Sequence, residues 1–129
     1  GVELCGRALM TTAAYAEKNP KTVAAVVASV NDALKAAISD PAPVVATLSA
    51  HDALSDLALE RERLQLMLRE LVLTPQYKAN GLSSVPTDRV LKSMQFVYGA
   101  YGIKAQPVAE KLYTDRFLPP KADRMPPGV

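Results

Sequence analysis

Between Pro20 and Ser39 lies a run of apolar residues that suits one regular structure. Val23, Val26, Val27, Val30, Leu34, Ala37 and Ile38 recur at steps of three and four, which lines them along one side of an α-helix. Lys21, Ser29, Asn31, Asp32 and Lys35 fall largely on the other sides. Asn19 suits an N-cap, and Pro20 suits the first helical position, where its missing N–H costs nothing. Asp40-Pro41 ends the run, because a residue before proline is pushed out of the α conformation. Each of the valines and the leucine would contribute roughly 1.5–3 kcal/mol if fully buried. One helix cannot bury its own stripe, so a partner surface has to exist.

Other segments repeat the pattern. Leu4 to Thr12 is a short apolar run, and residues 6–12 read as a strand. Thr12 opens a short helix, Ala13–Lys18, before the valine helix. Pro41 and Pro43 start a third helix, since proline is tolerated in a first turn. Asp52 reads as the cap of a long helix running to about Leu73, with Leu54, Leu57, Leu64, Met67, Leu68 and Leu71 as its stripe. Glu60, Arg61, Glu62 and Arg63 interrupt that stripe as a solvated face, with Glu60 and Arg63 spaced to pair. Thr74-Pro75 breaks the helix, and Asn80-Gly81 closes one further turn with left-handed backbone. Residues 82–86 read as a loop. Thr87 or Ser84 caps a helix to Tyr101, whose stripe is Val90, Leu91, Met94, Val97, Tyr98 and Tyr101. Residues 107–112 suggest another short helix, and the proline-rich end from Phe117 reads as irregular. The predicted class is therefore mostly α: five to six helices plus one short N-terminal strand. One segment spans 1–129, with the strand in 1–12, helices in 13–118 and an irregular tail in 119–129.

Composition excludes several functions. A length of 129 residues is one domain or a piece of one. The net charge is +2, with Lys and Arg spread along the chain, so nothing electrostatic favours nucleic acid or an anionic membrane. No apolar run reaches the ~20 residues that a bilayer crossing needs. Cys5 is the only cysteine, which allows no internal disulfide and leaves the redox compartment unidentified. The chain opens on Gly1 without a signal-peptide pattern, which reads as a mature or cut end. It has no glycine-rich phosphate loop, no paired Cys/His metal spacing and no Gly-x-Ser-x-Gly elbow. No catalytic residue, cofactor or metal site is expected. His51, the only histidine, reads as a surface or capping residue, with ligand contact as the alternative. Cys5 reads as a small buried apolar residue rather than a reactive thiol.

The order of these pieces resembles the back half of ABC-transporter substrate-binding proteins of the NMT1/THI5-like, nitrate/sulfonate/taurine type. In that family a strand of the form Gly-x-x-Leu-x-x-Thr leads into Tyr/Phe-x-x-x-Asn-Pro-Glu, then a long helix, Asp-Pro and a further helix. Here the matching residues are Gly6-Arg7-Ala8-Leu9-Met10-Thr11-Thr12, then Tyr15 to Lys21, then Asp40-Pro41. Asn80-Gly81-Leu82, the helix from Asp88 to Tyr101, and Tyr113-Thr114-Asp115-Arg116-Phe117-Leu118-Pro119 match the family's tail. Lys21 stands where the family has glutamate.

The resemblance implies a fragment of a two-lobe α/β periplasmic-binding-protein-like fold, with the first lobe's sheet and most of the second lobe outside these residues. It implies a solute-binding component of an ABC importer, periplasmic or extracytoplasmic. The small-molecule ligand would be captured between lobes and delivered to the transporter permease, which is the only link to the membrane. The ligand-binding candidates are Cys5 and Arg7, beside the hinge strand; Arg7 suits a carboxylate, sulfonate or nitrate. Two other readings remain. One is part of a pyrimidine-synthase-like enzyme of thiamine biosynthesis, a branch with a cysteine-rich motif that this chain lacks. The other is a stand-alone helical interaction domain. A fragment of this kind would leave apolar surface uncovered, so the isolated chain is expected to need the missing part, self-association with a second copy, or helix repacking.

Overall fold

Thr12 starts the first helix as its side chain predicts: its Oγ1 accepts from the Tyr15 N–H at 3.2 Å, satisfying one of the amides that a helix start leaves unpaired. That contact comes from a computed structural model, which describes residues 8–52 and 54–125. Helix α1 covers Ala13–Lys18, α2 Pro20–Ser39 and α3 Ala42–His51. Helix α4 covers Leu57–Met67 and passes directly into a π-helical segment, Leu68–Val72. Then come α5 (Pro75–Asn80), α6 (Thr87–Ala100), α7 (Ala109–Leu112) and a 3₁₀ turn, Lys121–Arg124. No strand occurs among the described residues.

The helices pack in two groups. In the first, α1 packs on α2, α2 on α3, and α3 on α4. In the second, α6 packs on α7 around Val90, Met94 and Ala109, with Val85, Leu91, Tyr98 and Tyr113 against them. The C-terminal 3₁₀ turn lies against α2 and joins the groups. The Val90–Met94 pair follows from the spacing in α6, since residues four apart share a helix side. Much of the other apolar surface stays open. Val26 on α2, Val44 and Leu48 on α3, and Leu57, Leu59 and Leu66 on α4 are all exposed.

Several local expectations are corrected. Residues 8–12 of the expected strand form no ladder, because a strand needs a partner and none occurs among the described residues; the rest of that stretch lies outside them. Asn19 stands at the start of α2, but its side chain caps nothing there. Its Nδ2 reaches back instead to the Tyr15 carbonyl at 3.2 Å, closing α1. Asp52 caps no downstream helix either. Its Oδ1 accepts from the Leu54 N–H, and the Ser55 N–H donates to its carbonyl, making a turn. Helix α4 begins later, at Leu57, where Asp56 Oδ1 accepts from the Ala58 and Leu59 amides at 2.9 and 3.2 Å.

The expected leucine stripe of α4 breaks for the same reason. Leu54 precedes the helix and is 95% exposed. Beyond Met67 the wider π-helical turns, closed by the Leu73 N–H on the Leu68 carbonyl, shift the phase of the side chains. Leu68 is buried and Leu71 exposed. At the start of α6 the cap position is Pro86, with no side-chain cap from Thr87 or Ser84. Tyr101, placed last in the α6 stripe, is exposed. The tail is not wholly irregular, since Lys121–Arg124 form the 3₁₀ turn. Finally, Pro20–Ser39 is long and apolar enough, by length and composition, to cross a membrane. The sequence reading missed this because Asn31, Asp32 and Lys35 interrupt the run.

Replacing Asp56 by Ala removes the α4 cap and is expected to cost about 1 kcal/mol. Denaturant unfolding of the two proteins checks this, and an unchanged midpoint would show that the cap carries no stability.

Candidate functional site

The most buried polar groups meet where α2 faces the C-terminal group. Asn31, in the middle of α2, is 1% exposed. Its Nδ2 donates to the Val27 carbonyl at 2.9 Å, and its Oδ1 accepts from Ser83 Oγ at 3.1 Å. The sequence put Asn31 away from the apolar stripe; the structure buries it because these two bonds satisfy its amide. Ser83 reaches it through a turn with left-handed backbone at Gly81 (φ 79°) and at Ser83 itself (φ 63°). Tyr113 braces that turn: its hydroxyl donates to the Ser83 carbonyl at 3.3 Å and accepts from the Val85 N–H at 3.2 Å.

Arg124 lies on the other side of the turn and is 7% exposed. Its Nε donates to the Pro119 carbonyl at 2.8 Å, and its Nη1 donates to the Leu82 carbonyl. The Leu82 N–H returns a bond to the Arg124 carbonyl at 3.2 Å. Gly81 is needed here twice, for its positive φ and because a Cβ would stand 3.1 Å from Arg124 Nη1. Among the described residues no carboxylate pairs with Arg124; peptide carbonyls satisfy it instead. Lys35 and Lys121 also reach peptide carbonyls. Lys35 Nζ donates to the Asp123 carbonyl at 2.7 Å while pairing with Asp32 at 2.8 Å. Lys121 Nζ donates to the Ala79 carbonyl.

This arrangement holds backbone in place. It brings no nucleophile to a base, and no group of three His, Cys, Asp or Glu that could hold a metal ion occurs among the described residues. His51 ends α3, exposed. Glu60 and Arg63 pair as their spacing predicts, with Arg63 exposed. A crevice of about 270 Å³ between α3 and α4 is lined by Ala42, Val45, Ala46, Leu57, Ala58 and Arg61, and it is mostly apolar. Cys5 and Arg7, the ligand-binding candidates, lie outside the described residues. The sequence reading passed over Asn31, Ser83, Tyr113 and Arg124. One signal for them was available: a lone Asn inside a Val- and Ala-rich helix asks for a polar partner.

Among the described residues two buried polar atoms have no partner, Tyr77 Oη and Arg89 Nε, although Arg89 Nη1 reaches Gln76 Oε1. A buried hydroxyl without a bond costs free energy. Tyr77→Phe is therefore expected to leave stability unchanged or to raise it by up to about 1 kcal/mol. Thermal melting decides; a clear loss would mean that the hydroxyl has a partner in solution.

Comparison with protein-family models, curated proteins and solved structures found no match to this chain.

Proposed function

We propose that this chain is the C-terminal part of a solute-binding component of an ABC importer, working in the periplasm or at the outer face of the cell. The supporting observation is the exposed apolar side chains on α2, α3 and α4: Val26, Val44, Leu48, Leu57, Leu59 and Leu66. Apolar helices exposed in this way suit a β-layer supplied by other residues, since a sheet face needs helices over it. The motifs of the sequence point the same way. In this reading a small organic or anionic solute is held between two lobes and passed to the permease, and the chain performs no catalysis. Closure of lobes around a pocket with few polar groups provides the capture.

Two experiments test the reading. The complete open reading frame that contains this chain is purified and melted with nitrate, sulfonates, pyrimidines and aromatic acids. One class is expected to stabilise it, by about 2.7 kcal/mol at a hundredfold excess over Kd; no shift with any of them counts against a binding protein. Separately, residues 1–129 alone are expected to self-associate through the uncovered helices. A monomer that melts cooperatively would remove the supporting observation and favour a stand-alone helical domain.

A further inference from the structure

The hydrogen bonds that cross from α2 to the C-terminal group are made by polar side chains: Ser83 to Asn31, and Lys35 to the Asp123 carbonyl. The 3₁₀ turn is then tied to Leu82 in the loop after α5 by Arg124 and to Ala79 within α5 by Lys121, again through peptide carbonyls. Within this stretch Arg124 is buried, while Phe117, Leu118 and Met125 are only half-buried. The core of Val90, Met94 and Ala109 lies in α6 and α7 and does not include the turn. A segment held by polar bonds with little apolar burial opens more readily than a packed core.

We propose that residues 118–125 form a releasable clasp between α2 and the C-terminal group. When it opens, Lys35, Lys121 and Arg124 leave their carbonyls together, the turn at residues 81–83 loses its tie to Arg124 while Tyr113 still holds it, and α2 keeps only the Ser83–Asn31 bond of the two named above, while α6 and α7 stay packed. The inference rests on the hydrogen bonds alone and does not need the importer reading.

Amide hydrogen exchange of the complete protein tests it. The Leu82 amide, bonded to the Arg124 carbonyl, reports the clasp, and the Met94 amide reports the core. Lys35→Met removes one tie at the surface, and Arg124→Lys keeps the charge but loses the paired N–H donors. Each is expected to speed Leu82 exchange about tenfold, the loss of one bond to a charged donor, and to leave Met94 unchanged. Equal acceleration at both amides, or none at Leu82, would overturn the proposal. Should Arg124→Lys fail to fold, Lys35→Met carries the test by itself.

Discussion

Helices α2 and α6 each carry an apolar side, α3 and α4 carry exposed apolar residues, and the described residues do not cover them all. The buried apolar side chains among them are Ala16, Ala37 and Ala109 beside Val45, Leu68, Tyr77, Leu82, Val90 and Met94. Alanines allow close approach but remove little area from water. The interior is therefore thin, and the stripes of α2, α3 and α4 remain partly open. That imbalance shapes the fold, and the proposed function rests on it.

Where apolar burial is scarce, polar bonds decide how the pieces sit. Asn31 fixes the turn at Ser83, Tyr113 braces that turn, and Arg124 closes it from the far side. A buried guanidinium satisfied by carbonyls must keep its donors paired, since the penalty for leaving them unpaired is large. This gives the joint a defined geometry without deep packing. The pairs Lys35–Asp32, Arg63–Glu60, Arg69–Glu70 and Lys92–Asp88 lie on helix surfaces and contribute little by comparison.

Local signals carried most of the helix limits. Ala13–Lys18 and Pro20–Ser39 were legible because Thr12, Pro20 and Asp40-Pro41 act through their own backbone neighbours. The same local logic failed at Asp52 and Asn19, where the side chain had two backbone choices and took the turn or the preceding helix. The candidate site was not legible. Cys5 and Arg7 came from resemblance and lie outside the described residues, whereas the polar joint links residues 52 apart, as Ser83 and Asn31 are.

By itself the amino-acid order determined the helical class, the long valine helix and the breaks at its ends, because caps, prolines and three-to-four spacing act within a few residues. Tertiary structure decided which stripe is covered, that Asn31 is buried, and that Arg124 closes the turn at Gly81. Those outcomes depend on contacts between distant segments, and no local preference encodes them.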